Sequence, residues 1–134
     1  MAERLQELVV VTPEREVLRE QVYLVLARGE QGELGILPGH APLMTTLKTA
    51  PLEARRAGER MVLAVAGGFM AVNPQGVTVL AGAAERAEEI DVARARRARE
   101  RAEQRLRSGD PDIDIARARA ALQRALLRLQ LAEE

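Results

Sequence analysis

The sequence predicts an all-β N-terminal sandwich followed by a C-terminal antiparallel two-helix hairpin. Before Ala84, short runs rich in Val and Leu alternate with turn residues, as antiparallel strands do. After Ala84, apolar residues recur at spacings of three and four, which is typical of helices. We therefore expect two domains, a β-sandwich over residues 1–85 and an αα-hairpin over residues 86–134.

The strand predictions rest on apolar runs that end at turn residues. LVVV is expected to end at Thr12-Pro13, VYLVLA at Arg28-Gly29 and VLAVA at Gly67-Gly68. The stretch AVNPQGVTVL predicts a hairpin. Its proline has the backbone angle that the second position of a turn requires, and its glycine tolerates the backbone conformation at the end of the turn. RRAGERMVLAV predicts another hairpin, with Ala57-Gly58 at the tip. Many short strands without intervening helices favour an antiparallel sandwich or barrel.

Two segments with helical periodicity follow, and Ser108-Gly109-Asp110-Pro111 separates them. Gly109 is suited to ending the first helix, and Asp110 or Asp112 to capping the second. Because the predicted face of the first helix is mostly alanine, the pairing buries little apolar area and is expected to open easily. The apolar positions are Ala95, Ala98, Ala102 and Leu106 in the first helix, and Ile115, Ala118, Leu122, Leu126 and Leu129 in the second.

Composition narrows the classes of function. With one Phe, one Tyr and no Trp, the core must be aliphatic, and the lack of Cys excludes disulfides and thiolate chemistry. The formal net charge of zero provides no whole-molecule attraction to nucleic acid or membrane. No apolar run approaches the roughly 20 residues of a membrane-spanning helix.

A short stretch occurs twice, as IDVARARRA at residues 90–98 and as IDIARARAA at residues 113–121. Aspartate before an Ala-rich segment suits a helix start, because its carboxylate accepts hydrogen bonds from free backbone amides. Asp91 and Asp114 are therefore both expected to cap helices.

Four arginines form a second pattern. Arg94 and Arg101 are two turns apart on the first helix, and Arg124 and Arg128 are one turn apart on the second. In an antiparallel hairpin these guanidinium groups could converge, and a polyphosphate matches such a set of donors. The alternative is a solvated Arg-rich face that Glu100 and Glu103 partly neutralise.

Three further stretches carry a resemblance to a known family. GELGILPGHAPLMTTL at residues 32–47, AVAGGFMAV at 64–72 and GVTVLAGAAERAEEIDVARA at 76–95 resemble the epsilon subunits of the F-type ATP synthase. The likeness covers essentially the whole chain. It implies a non-catalytic regulatory and structural rotor subunit, peripheral at the cytoplasmic face of the bacterial cell membrane, which it contacts only through the complex.

The resemblance also implies partners for each half of the chain. The sandwich would contact the gamma subunit and the c-ring through a surface that includes Glu33, Gly39 and His40. The hairpin would either fold against the sandwich or extend along gamma to the alpha and beta subunits of the catalytic head. The extended form would inhibit ATP hydrolysis.

Some bacterial members of this family bind ATP on the folded hairpin, through a motif that Ile90, Asp91, Arg94 and Ala95 match at each fixed place. The resemblance places Glu85, Ile90 and Asp91 around the adenine. It places Arg94, Arg101, Arg124 and Arg128 on or near the phosphates. The second copy, residues 113–118, fits the short pattern but does not follow the AAERAEE junction, so we interpret it as a helix start.

ATP is expected to be sensed and left intact, with the role of magnesium left open and no resident metal. The sequence has no GxxxxGK[ST] phosphate loop and no evident general base, and His40 in LPGHAP is expected to be an interface loop residue. An alternative is an Arg-rich nucleic-acid-binding module. Against it stand the zero net charge, the lack of an aromatic platform for single strands and the acidic helix starts. A small enzyme has less support still.

Overall fold

The computed structural model describes residues 4–133 and confirms the predicted fold class. The ends of the two predicted domains, residues 1–3 and 134, lie outside the described residues. The chain divides into two compact units, with the boundary between Arg86 and Ala87. The first unit is built from strands and the second from helices.

Eight strands form one sheet in the first unit, in the order β2-β1-β8-β7-β6-β3-β4, with β5 paired to β7. Neighbouring strands are antiparallel except β1 and β8, which are parallel. The strands are β1 (Gln6–Val11), β2 (Glu16–Val22), β3 (Leu24–Gly29), β4 (Gly32–Ile36), β5 (Leu43–Thr46), β6 (Ala50–Arg56), β7 (Glu59–Asn73) and β8 (Gly76–Arg86).

Both predicted hairpins are present. The β6–β7 hairpin turns at Ala57-Gly58, where Gly58 has a φ of 77° that favours glycine. In the β7–β8 hairpin, the Asn73 side-chain oxygen accepts hydrogen bonds from the backbone nitrogens of Gln75 at 2.8 Å and Gly76 at 3.1 Å. This local bonding orders the turn that connects the long paired strands β7 and β8.

The predicted strand end at Gly67-Gly68 is wrong, because β7 continues through both glycines to Asn73. At this point β7 changes neighbours along one edge. It pairs with β6 as far as Val65, and its pairing with β5 begins at Phe69. Gly68 has a φ of 114°, and a β-carbon there would collide with the Leu80 carbonyl oxygen. Gly68 therefore permits a close approach to β8 within a continuous strand.

The core is aliphatic, as predicted. Alternate residues of the strands point inward, and the large side chains with almost no exposure are branched aliphatics, one methionine and Gln6. Phe69 is instead 53% exposed. The largest of the buried side chains are Leu8, Leu18, Ile36, Leu52, Leu63 and Met70.

The second unit contains a short 3-10 turn (Ala87–Glu89), α1 (Val92–Arg107) and α2 (Ile115–Ala132). Gly109 follows the end of α1 with a φ of 70°, as expected for a helix-ending glycine. The prediction that Asp110 or Asp112 caps the second helix is wrong, because Asp114 does so. Asp110 instead accepts a hydrogen bond from the backbone nitrogen of Asp112 at 2.9 Å, which orders the turn and delays the helix start.

The two helices pack against each other, and their buried residues include alanines of both helices and three leucines of α2, Leu127, Leu129 and Leu131. Ala95 and Ala102 of α1 are buried, and so are Ala118 and Ala125 of α2. Small facing residues allow a close approach but bury little apolar area per contact. The predicted face was wrong at two positions, since Ile115 is 43% exposed and Leu126 is 46% exposed, while the neighbouring Ala125 is fully buried. Within residues 4–133, neither α-helix is long and apolar enough to cross a bilayer.

Candidate functional site

The two copies of the repeated stretch have the same local structure. Asp91 and Asp114 each adopt an extended backbone and cap a helix through the side chain. The equivalence continues beyond the quoted stretch at a constant offset of 23 residues along α1 and α2. The pairs that it relates include Ile90 and Ile113, Arg94 and Arg117, Ala95 and Ala118, Arg101 and Arg124, Ala102 and Ala125, Arg105 and Arg128, and Leu106 and Leu129.

This equivalence determines the side of the hairpin on which each arginine lies. Successive residues of a helix are about 100° apart around its axis. Because the two helices run in opposite directions and face each other, positions just before the facing alanines fall on the same side of the hairpin. Arg94 and Arg101 precede Ala95 and Ala102, and Arg124 precedes Ala125.

A residue three positions after a facing alanine is turned about 60° around the helix axis, in the same direction as the residue directly before that alanine. Arg128 stands three positions after Ala125, so it lies on the same side. We call this side, with Arg94, Arg101, Arg124 and Arg128, the basic side of the hairpin. Arg96 and Arg119 follow Ala95 and Ala118 directly, so they lie on the opposite side.

The guanidinium groups of the basic side are available to a ligand to different degrees. Arg94 and Arg101 are exposed, whereas Arg124 and Arg128 are half-buried. Within the described part of the chain, Arg94, Arg101 and Arg124 form no ion pair or side-chain hydrogen bond. Glu103 pairs with Arg99 on the opposite side, with Nε and Oε1 3.2 Å apart. Glu103 therefore does not neutralise the basic side.

Three residues of the predicted ATP motif, Ile90, Asp91 and Ala95, lie within one turn of the start of α1. Ile90 is half-buried, and its backbone nitrogen donates to the Ala87 carbonyl at 3.3 Å. Asp91 accepts a hydrogen bond from the backbone nitrogen of Arg94 at 3.0 Å. Ala95 is 2% exposed, so its small side chain is needed for helix packing. Glu85 belongs to β8 in the first unit, where it lies opposite Ala64.

Two further arginines lie on this side. The sequence did not single out Arg105, and Arg117 was interpreted as part of a helix start. Arg105 stands three residues after Ala102, and Arg117 stands directly before Ala118. Arg101 and Arg105 line an open groove of about 310 Å³ together with Gln104, Ser108 and Ile113. The 23-residue offset is the signal that could have identified them, because it relates Arg105 to Arg128 and Arg117 to Arg94.

The predicted rotor-contacting residues lie on and beside one loop of the first unit. Glu33 is exposed on β4 and pairs with Arg28 at 2.9 Å. Gly39 and His40 lie in the loop of residues 37–42 between β4 and β5. Gly39 has a φ of 81°, and Nδ1 of His40 is 2.7 Å from the Ala41 carbonyl oxygen.

A charged cluster links β6 and β7 on the outside of the sheet. Glu53 accepts hydrogen bonds from the Nε atoms of Arg55 and Arg60, each at 2.5 Å. Burial acts to raise the pKa of Glu53, but the hydrogen bonds and charges of Arg60 and Arg55 outweigh it, so the pKa lies below its usual range. Within residues 4–133, no three His, Asp or Glu side chains are grouped so that they could hold a metal ion.

Comparison with known families gives two matches that together span nearly the whole chain. Residues 6–87 match the β-sandwich domain of the ATP synthase delta/epsilon chain, and residues 88–133 match its long α-helix domain. The chain belongs to the ATP synthase delta/epsilon family. The two family domains divide one residue after the boundary between the compact units.

Individual members of the delta/epsilon family show the same likeness. The ATP synthase epsilon chain of Pelotomaculum thermopropionicum is 53% identical over 106 residues, which are 79% of each chain. That of Brevibacillus brevis is 56% identical over 98 residues, 72% of this chain and 74% of the relative. These relatives are named as epsilon chains, which are non-catalytic stalk subunits, so the prediction of a non-catalytic subunit is confirmed.

Solved structures of ATP synthases include similar chains. One from the Euglena gracilis mitochondrial ATP synthase, solved as an OSCP/F1/c-ring assembly, has a TM-score of 0.80 and 26% identity and covers 100% of this chain and 84% of that one. One from the central stalk and c-ring of the Tetrahymena thermophila mitochondrial enzyme has a TM-score of 0.61 and 15% identity, covering 98% and 99%. The second likeness is one of fold alone.

Proposed function

We propose that this delta/epsilon chain is a regulatory rotor subunit of a bacterial proton-translocating F-type ATP synthase, and that ATP controls its hairpin. In this proposal the sandwich couples the rotor to the c-ring. The extended hairpin inhibits ATP hydrolysis, and bound ATP stabilises the folded hairpin. The observation that carries the proposal is the basic side of the hairpin, next to a complete Ile-Asp-x-x-Arg-Ala motif at the start of α1.

The chemistry of the basic side supports a polyphosphate ligand. Arg94, Arg101 and Arg124 share one side and have no carboxylate partner within residues 4–133, so their charges repel one another, and an anion between them would remove that repulsion. Arg94, Arg101, Arg124 and Arg128 would bind the phosphates. Glu85, Ile90 and Asp91 would bind the adenine, on aliphatic carbon and through carboxylate or backbone hydrogen bonds. ATP would be a regulatory ligand and would not be hydrolysed.

Differential affinity would make this binding a switch. A ligand that contacts both helices binds the folded hairpin and not the extended one, so it stabilises the folded state. At about 100 times its dissociation constant, the stabilisation would be about 2.7 kcal/mol. We expect a shift of that size to matter, because each contact between facing alanines buries little apolar area.

The sandwich would supply the constant attachment to the rotor. The loop of residues 37–42 and Glu33 would contact the gamma subunit and the c-ring, and the extended hairpin would contact the alpha and beta subunits. The similar chain from an F1/c-ring assembly supports this placement. The subunit would then be peripheral at the cytoplasmic face of the cell membrane, with no contact to nucleic acid.

Calorimetry of the isolated chain with ATP, ADP and GTP tests the proposal. We expect one ATP to bind per chain. ADP should bind more weakly because it has one phosphate fewer, and GTP should bind more weakly because guanine presents different hydrogen-bond donors and acceptors from adenine. Protease digestion with and without ATP should show that ATP protects the hairpin. A chain that binds no nucleotide but shifts duplex DNA in a salt-dependent manner would instead support the nucleic-acid-binding alternative.

A further inference from the structure

The buried side chain of Gln6 joins strands that are far apart in the order of the eight-stranded sheet. Gln6 begins β1 and is 2% exposed. Its Nε2 donates to the Ile36 carbonyl at 2.9 Å and lies 3.5 Å from the Tyr23 carbonyl. Since β1 and β4 are five steps apart in the strand order, this amide connects strands that share no ladder hydrogen bonds.

The amide of Gln6 is held there despite a cost. Its Oε1 is buried and has no hydrogen-bond partner among the described residues. Leaving a buried acceptor unpaired costs free energy, which an apolar side chain of the same shape would avoid. The benefit of a glutamine at this position therefore lies in the contacts of its Nε2, of which the shorter is to Ile36, the last residue before the loop of residues 37–42.

A second residue of the same segment reaches the middle of that loop. The guanidinium of Arg4 lies against Gly39, where an added β-carbon would be 3.3 Å from Nη1 and 3.7 Å from Cζ. Gly39 has a φ of 81°, a conformation that side chains disfavour. Arg4 thus contacts the loop near its midpoint, and Gln6 bonds the residue directly before the loop.

We infer that Arg4 and Gln6 are positioning residues that hold the loop of residues 37–42 in its rotor-binding conformation. The rotor-binding part of this inference rests on the proposed function, which assigns Gly39 and His40 to the rotor surface. A loop fixed in advance loses less conformational entropy when a partner binds, so its affinity is higher.

Hydrogen exchange on the full chain tests the inference. Gln6→Met keeps the length of the side chain and removes the donor, and Arg4→Ala removes the contact to Gly39. We expect backbone amides in residues 37–42 to exchange about tenfold faster in each variant, with little change elsewhere in the sheet. Arg4 is exposed, so its variant remains informative even if Gln6→Met fails to fold.

Thr12→Val is the matched control. Thr12 is the other buried polar residue in the described chain, and its hydroxyl bonds only within the turn of residues 12–15 at the far end of β1. Its loss should leave exchange in residues 37–42 unchanged. Unchanged exchange in both the Arg4 and Gln6 variants, or an equal increase in Thr12→Val, would overturn the inference.

Affinity for a gamma–c-ring subcomplex separates this inference from the proposed function. We expect the Arg4 and Gln6 variants to bind it several-fold more weakly than the Thr12 variant does. Faster loop exchange with unchanged affinity would support the positioning role and overturn the assignment of the loop to the rotor. Weaker affinity with unchanged exchange would overturn the positioning role and leave that assignment in place.

Discussion

The carboxylate of Asp91 accepts a hydrogen bond from the backbone nitrogen of Arg94 at 3.0 Å, which ties the start of α1 to the first arginine of the basic side. Asp114 makes the equivalent bond to Arg117 at 3.1 Å. The two copies of the repeated stretch therefore share a structural role. Any difference in function between them must arise from the residues around them.

Replacing Arg94 with Ala should weaken ATP binding by about ten- to 150-fold, the loss expected for a charge-assisted contact of about 1.5–3 kcal/mol. Arg96→Ala and Arg119→Ala are the matched controls, because they remove the same charge from the opposite side of the hairpin. Calorimetric titration with ATP measures all three. Equal losses in the three variants would show that overall charge, and not the basic side, governs binding.

Arg117→Ala tests whether the second copy takes part. If the second copy is only a helix start, this variant should lose much less ATP affinity than Arg94→Ala, even though Arg117 lies on the same side. The same titration measures it. A loss as large as that of Arg94→Ala would show that the two copies contribute alike.

Removing the two caps should separate stability from binding. Asp114→Ala should lower the stability of the helical unit by about 1 kcal/mol, since the cap bond is lost. Asp91→Ala should do the same and also weaken ATP binding. Helical content as a function of temperature measures the first effect, and ATP titration of the folded variants measures the second. Unchanged ATP affinity in Asp91→Ala would remove Asp91 from the site.

Enlarging a facing alanine should open the hairpin. Ala125 is fully buried, so Ala125→Leu should force the helices apart at a cost of about 1–3 kcal/mol. Ala93→Leu adds the same atoms at an exposed position of α1 and is the control. Protease should cleave the helical unit faster in the first variant only, and ATP should partly restore protection. Equal protection of both variants would contradict the close alanine packing.

Truncation should divide the functions of the two units. A chain that ends near Ala84 should still join gamma, because the GELGILPGHAPL surface belongs to the sandwich. Deleting the residues after Gly109 should relieve inhibition of ATP hydrolysis by the assembled enzyme while coupling remains. Unchanged hydrolysis at low ATP would show that α2 is not the inhibitory segment.

Acid should weaken the sandwich through Glu53. Its pKa in the folded protein lies below the ordinary value of 4.5, so its contribution to stability is complete above that value and is lost as pH falls through the folded pKa. Glu53→Gln should therefore lose less stability than the parent protein between neutral pH and about pH 3. Urea unfolding at several pH values measures the difference. Parallel losses in both proteins would contradict the Arg55 and Arg60 pairing.

The sequence by itself determined the features that depend on local periodicity and local backbone chemistry. Alternating apolar residues predicted the strands, and the three-and-four spacing predicted both helices. Asp91 and Asp114 could be predicted as caps because a cap bond reaches only three residues along the chain. The stretches that resemble epsilon subunits identified the family, and the family matches confirmed it.

Only the tertiary structure decided the features that depend on which segments meet. Gly67-Gly68 signals a strand end in isolation, yet β7 continues because β5 replaces β6 as its neighbour there. Spacing alone placed Leu126 on the helical face, whereas close packing of the helices selects Ala125. The side-chain amide of Gln6 donates a hydrogen bond to the carbonyl of Ile36, which is 30 residues further along the chain. Local sequence carries no signal for such a contact, because folding of the whole sheet brings the two residues together.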